Sequence, residues 1–305
     1  MYNFISIIIL LVTMNYCSIA NNSNESSNNK SEDEKIPCQL IKKSGHTYYN
    51  NKAADEHKLQ NVLNKTKNIK DINERVIAIT QEFIGTPYIG GTLNVPREEQ
   101  LYVNTTGVDC TTFTEMVMAL ALAGEEENAD IESFLEKLQS IRYRNGKIAG
   151  YPSRLHYICE WAIDNSKRGN FREITNECVE SVESKKTIDF MTKNRDLYPA
   201  LKDNEVYEKI KEAEMPLRNL EYSIIPTSQV NKAAKSCLMS GDAVAIVTNK
   251  EGLDVSHIGF INIKNGIPYL IHASSKYKKV INDTTPLKEY LQKQGSPGIR
   301  VFRMS

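Results

Sequence analysis

The sequence predicts an α+β fold in which one apolar helix packs on an antiparallel β-sheet. Cys110 to Ala123 is an apolar segment of helical spacing that follows a capping aspartate and stops at Gly124. Short β-type segments separated by turn residues fill the C-terminal part of the chain, which is typical of a β-meander. A helix and a sheet that each have one apolar face are expected to bury those faces against each other.

Residues 1–20 are predicted to be a signal peptide. Phe4 to Met14 is an uncharged apolar run of signal-core length, too short to span a bilayer comfortably. Ser18-Ile19-Ala20 supplies the small residues that precede a cleavage site. A basic segment before the apolar run is missing, so a core strand here and a lipid anchor at Cys17 are alternatives. We expect a secreted or periplasmic protein with no integral membrane span after signal removal.

Residues 21–35 are predicted to be a disordered polar tether, because they include no apolar residue that could offset the entropy cost of ordering. Residues 36–305 are then expected to form a single domain, with a helical insertion at about residues 125–240.

The charge balance argues against a nucleic-acid partner. Lys plus Arg and Asp plus Glu each number 38 among 305 residues, so the formal net charge is +0 and no net field attracts a polyanion. The apolar content of 40% is ordinary for a globular protein and provides a core of normal size. We expect a monomer.

Helical spacing predicts further helices before and after the central one. Asp71 to Ile84 has a broad apolar face and ends at the corner Gly85-Thr-Pro-Tyr88. A helix is expected in the second half of Glu125 to Ser140, and a short one around Trp161. Ile188 to Leu217 is charged and mostly helical, so it is expected at the periphery.

Turn chemistry fixes the pairing of two predicted strands. A two-residue Asn265-Gly266 loop pairs Lys264 with Ile267. In that register His272 lies opposite Gly259, and His257 is a diagonal neighbour on the same face, with a Cα separation of roughly 7–8 Å. The predicted strands are Asp242–Thr248, Ser256–Ile263, Ile267–Ala273, Lys279–Asn282 and Ile299–Arg303.

The residues that carry chemistry predict a cysteine hydrolase. A thiol at a helix N-terminus meets unpaired backbone N–H groups and the positive end of the helix dipole, so Cys110 is expected to favour its thiolate. His257 is the expected general base, and His272 is expected to orient it. Tyr88 and the backbone N–H of Cys110 are candidate donors to an oxyanion.

A zinc site made of Cys110, Asp254, His257 and His272 is the chemical alternative, but no pair at i, i+3 or i, i+4 favours it. We expect no metal and no cofactor. Beyond Cys17 and Cys110 the chain has four other cysteines, which allow at most two disulfides in a pairing that the sequence leaves open: Cys38, Cys159, Cys178 and Cys237.

These motifs also carry a family resemblance. The segments Gly85-Thr-Pro-Tyr-Ile-Gly-Gly, Asp109-Cys110-Thr, Asp254-Val-Ser-His257-Ile-Gly and His272-Ala-Ser-Ser resemble the NlpC-type papain-like cell-wall hydrolases. Within that superfamily, the chain most resembles the N-acetylmuramoyl-L-alanine amidase-like family, from roughly Asp71 to Arg303.

The resemblance implies a papain-like (NlpC-type) fold and cleavage of an amide bond in peptidoglycan, most simply between N-acetylmuramic acid and L-alanine. It implies Cys110 as nucleophile, His257 as base and His272 as orienting residue. A γ-D-glutamyl stem-peptide endopeptidase, an acyltransferase and a muropeptide-binding relative without hydrolase activity are the alternatives. The candidate oxyanion and substrate-binding residues are Tyr88, Asp109, Arg154, His156, Ser256 and Ser274.

Two of these residues have a structural alternative. The Arg154 guanidinium could bind a muropeptide carboxylate in a bidentate manner, or it could only hold its own loop. Ser274 could line the cleft beside His272, or it could cap a turn. A Cys159–Cys178 disulfide would stiffen the same wall of the cleft.

Overall fold

The structure, a computed structural model, describes residues 47–94, 98–178 and 180–304. The predicted signal peptide, the tether and the cysteines Cys17 and Cys38 lie outside the described residues. The helices are α1 Lys52–Thr66, α2 Ile72–Glu82, α3 Cys110–Ala123, α4 Ile131–Arg142, α5 Ile158–Lys167, α6 Phe190–Lys193, α7 Asn204–Glu214, α8 Val230–Ser236 and α9 Leu287–Gln294. The strands are β1 Thr47–Tyr49, β2 Leu101–Val103, β3 Arg172–Glu173, β4 Val182–Lys186, β5 Leu220–Pro226, β6 Ala243–Val247, β7 Val255–Lys264, β8 Ile267–Ser274, β9 Lys279–Pro286 and β10 Gly298–Arg303.

The main sheet is antiparallel and contains the predicted meander. Among the described residues its strand order is β4-β5-β10-β6-β7-β8-β9, and β3 pairs with β10. The five predicted strands correspond to β6 to β10, so this part of the architecture is confirmed. A separate parallel pair, β1 and β2, lies near the start of the described chain.

Helix α3 begins and ends where the sequence predicts. Asp109 caps it through a reciprocal pair of hydrogen bonds with Thr112, and Gly124 is the residue that follows its last turn. Nearly every side chain of the helix is buried, because α2 and α4 pack on it from one side and β7 and β8 from the other. The sheet and the capping box therefore fix the position of its first residue, Cys110.

The predicted helical insertion at residues 125–240 is wrong in part, because the segment contributes strands as well as helices. Strands β4 and β5 pair with each other, and β5 extends the main sheet through β10. The polar β4 sequence (VESKK) has no apolar alternation, so its pairing depends on β5 rather than on its own pattern. The helical part at residues 190–217 packs with Tyr157 and Cys159 in a small hydrophobic cluster separate from the main core.

The observed disulfide is not the Cys159–Cys178 bond that was one possibility from the sequence. Cys178 forms a disulfide with Cys237, while Cys110 and Cys159 are free and buried. A Cys159–Cys178 bond is therefore excluded. Within the described residues, no helix is both long and apolar enough to cross a membrane.

Candidate active site

The predicted hairpin register is confirmed, and it ends where the two histidines begin. Strands β7 and β8 pair from Lys264 with Ile267 to Phe260 with Ile271. Beyond that point Gly259 faces His272 so closely that a Cβ atom on Gly259 would lie 2.9 Å from the His272 Cβ atom. Glycine at this position therefore makes room for the His272 side chain.

The two imidazoles form a direct contact that continues to a carboxylate. His257 Nε2 lies 2.5 Å from His272 Nδ1, with the rings nearly perpendicular. On the far side, His272 Nε2 lies 3.6 Å from Asp283 Oδ2 and has no hydrogen-bond partner among the described residues. Burial disfavours the charged form of Asp283, but His272 and the Thr285 N–H outweigh it and lower the pKa of Asp283 to about 2. Asp283 is therefore an ionised end to a His257–His272–Asp283 chain.

Cys110, the first residue of helix α3, lies against the strand that carries His257. The backbone N–H groups of Ile258 and Thr111 interact with its thiol, so the sulfur lies beside the residue that follows His257. The expected preference for thiolate is not observed. Burial, followed by the Asp109 carboxylate, raises the pKa of Cys110 to about 12 despite those donors. The Cys110 side chain is therefore a neutral thiol, and a base would have to remove its proton before it could act as a nucleophile.

His257 is suited to be that base. Burial and the adjacent His272 hold the pKa of His257 well below its ordinary value, so its imidazole is neutral at neutral pH. A register shift in the pairing of β6 with β7 precedes it, because Ile246 pairs with His257 whereas Val247 pairs with Val255. Ser256 is the extra residue, and its hydroxyl lies 3.4 Å from the Ile246 carbonyl. Ser256 therefore belongs to a bulge that positions His257.

Two tyrosines flank the thiol. Burial, with contributions from Cys110 and Asp109, raises the pKa of Tyr88, so its phenol stays protonated and can donate a hydrogen bond. The backbone of Tyr88 is held by a bond from its N–H to the Lys278 carbonyl (2.9 Å). The Tyr290 ring packs edge-on against His272 at 5.6 Å, and burial, Asp283 and Cys110 raise its pKa. Tyr88 thus lies near Cys110, and its role as an oxyanion donor stays a prediction. Tyr290 is a second neighbour, which was not among the predicted site residues.

Two predicted binding residues have local structural roles. The Asp109 carboxylate accepts hydrogen bonds from the Thr112 N–H and hydroxyl, so the helix cap uses it. The buried Ser274 hydroxyl accepts a bond from the Tyr277 N–H at 3.3 Å and caps the β8–β9 turn. The turn-capping alternative for Ser274 is the one observed.

Arg154 is a buried anchor rather than a free carboxylate receptor. Its Nη1 atom donates to the Leu93 carbonyl (2.7 Å) and to Glu99 (3.2 Å), and its Nη2 atom donates to Asn94 (3.1 Å). The guanidinium and the Glu99 carboxylate are both buried, at 6% and 8% exposure. Its hydrogen bonds already hold Leu93, Asn94 and Glu99, so the predicted role as a free carboxylate receptor is not the one that the structure shows.

His156 is also committed to its own segment. Its Nε2 atom lies 3.0 Å from the Tyr151 carbonyl oxygen, and its ring packs on the Tyr151 ring at 4.5 Å. Burial, followed by the nearby Arg154 charge, lowers the pKa of His156 to about 3. A neutral, internally bonded imidazole is a structural element, so His156 does not fit the predicted binding role.

Replacing Arg154 with alanine is expected to destabilise the protein by about 3–5 kcal/mol, because it leaves the Glu99 carboxylate buried without its cation. Urea unfolding measures the loss. The matched control is Arg172→Ala, which breaks an exposed pair with Glu177 (48% and 50% exposure) and should cost less than about 1 kcal/mol. Unchanged stability, with a KM increase confined to acidic substrates, would restore the binding role.

The zinc alternative does not match the geometry. Asp254 accepts a hydrogen bond from the Cys159 N–H (2.6 Å) at the start of α5, so its carboxylate is used away from the two histidines. Among the described residues, no group of three or more His, Cys, Asp or Glu side chains could hold a metal ion.

Asp283, the residue that ends the histidine chain, was not among the predicted site residues. A signal was present, since Asp283 follows Lys279–Asn282, the segment predicted as the strand after His272. The predicted strand stops at Asn282, whereas β9 continues to Pro286. The longer strand brings Asp283 beside His272 rather than into a loop.

Comparisons with known proteins give one matching family and several similar structures. Residues 78–299 match the family described as N-acetylmuramoyl-L-alanine amidase-like. An N-acetylmuramoyl-L-alanine amidase from Bacteroides uniformis is similar in structure (TM-score 0.73) at 33% identity, covering 77% of this chain and 99% of its own. A candidate xylanase from Bacteroides fragilis matches with a TM-score of 0.68 at 35% identity over 74% and 98% of the two chains. A Legionella pneumophila protein matches with a TM-score of 0.63 at 27% identity over 83% and 96%. No protein with a curated function matched the sequence.

Proposed function

Since the chain belongs to the N-acetylmuramoyl-L-alanine amidase-like family, we propose that it is an exported cysteine amidase that cleaves the bond between N-acetylmuramic acid and L-alanine in peptidoglycan. The observation that carries the proposal is the His257–His272–Asp283 chain together with the Cys110 thiol at the start of α3, which lies against the backbone of Ile258, the residue after His257. The described residues thus supply a nucleophile, a base and an orienting group in one place.

The ionised Asp283 determines the tautomers in this proposal. The negative charge of Asp283, 3.6 Å from His272 Nε2, favours the tautomer of His272 that carries its proton on Nε2, and the Nδ1 atom of His272 then accepts from His257 Nε2–H. With Nε2 protonated, the Nδ1 atom of neutral His257 keeps its lone pair. That atom is the one that can take the proton of Cys110.

The reaction follows as acyl transfer to sulfur and then to water. As the Cys110 sulfur attacks the lactyl carbonyl carbon of the muramic acid, His257 takes the thiol proton and returns it to the departing amine of L-alanine. Tyr88 and the first backbone N–H groups of α3 can donate to the oxyanion. His257 then takes a proton from water, whose oxygen attacks the thioester and releases the carboxylic acid and the free thiol.

The side chains favour an amide over a glycosidic substrate, although one similar protein is a candidate xylanase. Glycosidases generally place two carboxyl groups on either side of the bond that they cleave. Here the groups around Cys110 are two imidazoles and two phenols, while Asp283 lies behind His272 and Asp109 caps α3.

Export and a papain-like fold are parts of the same proposal. Disulfides persist mainly in oxidising compartments, so the Cys178–Cys237 bond supports a secreted or periplasmic location. A helix that begins at the catalytic cysteine and packs on an antiparallel sheet supports the papain-like arrangement.

Defined muropeptides, with products identified by mass, test the bond that is cleaved. The proposal predicts a free stem peptide that begins with L-alanine and a sugar with a free lactyl carboxylate. A cut beside D-glutamate would instead indicate the endopeptidase, and a product joined to an added amine rather than water would indicate an acyltransferase. Loss of activity on chelation would contradict a thiol mechanism.

A further inference from the structure

The turn between β8 and β9 carries a dense positive charge next to the candidate active site. Lys276, Lys278 and Lys279 surround Tyr277, and all four side chains are exposed. We name these four residues the basic rim. The three lysines form no ion pair with the described residues, and the Lys276 ammonium lies 5.0 Å from the centre of the Tyr277 ring. The whole chain has a formal net charge of +0, so the rim is a local feature.

The basic rim is bonded directly to the loop that leads to Cys110. The Gly85 N–H donates to the Val280 carbonyl (2.9 Å), and the Val280 N–H donates to the Thr86 carbonyl (2.8 Å). The Tyr88 N–H donates to the Lys278 carbonyl (2.9 Å), and Pro87 pairs with Lys279. The rim and the candidate oxyanion donor Tyr88 are therefore held together as one unit.

Apolar surface is exposed at the same place. Tyr277 is 50% exposed, and Ile89 and Ile84, on the loop that pairs with the rim, are 46% and 42% exposed. Residues 84–94 contain no charged side chain, so the loop supplies no anion to neutralise the lysines. The nearest acidic groups that the site uses are Asp109, bound in the helix cap, and the buried Asp283.

We propose that the basic rim binds the carboxylates of the stem peptide next to the bond that is cleaved, while Tyr277 and Ile89 cover its methyl groups. The inference rests on the proposed function and adds a substrate class, namely stem peptides whose carboxylates are free rather than amidated. Exposed lysines attract such anions over roughly 8–10 Å at physiological salt. A membrane surface is the other anionic partner, but Lys279 pairs with Ser274, only two residues from His272, which favours the substrate.

The test compares one stem peptide with free carboxylates and its amidated analogue. In the variant Lys276→Gln/Lys278→Gln/Lys279→Gln, the preference in kcat/KM for the free acid is expected to fall about three- to tenfold, since exposed ion pairs are individually weak. Added salt should reduce the preference of the unmodified protein in the same direction.

A matched control removes the same charge elsewhere. Lys147, Lys235 and Lys264 are exposed lysines without ion pairs to the described residues, and Lys264 lies at the other end of β8 beside the Tyr269 ring (5.8 Å). Their triple glutamine variant should keep the preference for the free acid. An equal fall in both triple variants would overturn the inference, because net charge rather than the rim would then be responsible.

The failure of this inference can be separated from failure of the proposed function. If the rim variant cleaves muropeptides and keeps the same preference in kcat/KM for the free acid, only the proposed role of the basic rim is overturned. If the protein cleaves neither peptide, calorimetry on Cys110→Ala still measures binding without turnover. Weaker binding of the free acid after the rim substitutions then supports the rim, whereas no binding to either peptide, or binding of anionic vesicles alone, overturns it.

Discussion

Cys110→Ala is expected to lower kcat by roughly 10⁴-fold or more on muropeptides, because no other described group can form the thioester. The folded state should persist, since the change removes one sulfur atom from a site that is 3% exposed. Steady-state kinetics and a thermal melt on the same preparation measure both effects. Retained turnover would remove the thiol mechanism.

Cys159→Ala is the matched control for that substitution. Cys159 is also a free, fully buried thiol in the described chain, but it lies at the start of α5 beside Asp254. Its replacement should leave kcat near that of the unmodified protein. Iodoacetamide should label Cys110 faster than Cys159, and labelling should slow in His257→Ala, because burial raises the pKa of Cys110 to about 12 and a base is needed to remove its proton.

His257→Ala is expected to lower kcat by roughly 10⁴-fold, since the base contributes to both halves of the reaction. His272→Asn and Asp283→Asn act through the orientation of His257, so each should cost only about a hundredfold. Kinetics of the three variants, with His57→Ala as an exposed control on α1, establish the order. Equal activity in His257→Ala and the unmodified protein would remove His257 from the site.

The pH profile gives a second readout of the same residues. His257 works as a base only when it is neutral, so activity is lost as the pH falls through its pKa. Burial and His272 hold that pKa well below the ordinary value of about 6.5, so the acidic limb of kcat/KM should lie below pH 6.5. Asp283→Asn should change the pH at which this acidic limb of kcat/KM occurs. If Asp283 had only a structural role, the substitution would lower the stability of the protein and leave that pH unchanged.

Local rules in the sequence were sufficient for the parts of the site that depend on short-range geometry. Asp109 and Gly124 bracket α3 because capping is decided within a few residues. The Asn265-Gly266 turn fixed which residue lies opposite His272, since hairpin register follows from loop length. The same rules led to Cys110, His257 and Tyr88 as predicted site residues, and their roles stay predictions.

The features that depend on distant partners could not be predicted. In the sequence, Arg154 has no visible partner and could bind a substrate carboxylate. In the folded protein it donates hydrogen bonds to Glu99, Asn94 and the Leu93 carbonyl. The pKa of the Cys110 thiol is raised mainly by burial, and a prediction from the helix dipole alone does not include burial. Strand β4 is too polar to show its pairing with β5, and a disulfide partner is not encoded by spacing alone.

The bond between Cys178 and Cys237 has a consequence for resistance to proteolysis. It joins residues 59 positions apart, and the enclosed segment includes the peripheral helices α6 and α7 together with β4 and β5. If a protease cuts one peptide bond inside that segment, the disulfide keeps the two fragments covalently joined. Strand β5 also stays paired with β10 in the sheet. A single nick in the exposed part of this segment therefore cannot release a piece of the enzyme.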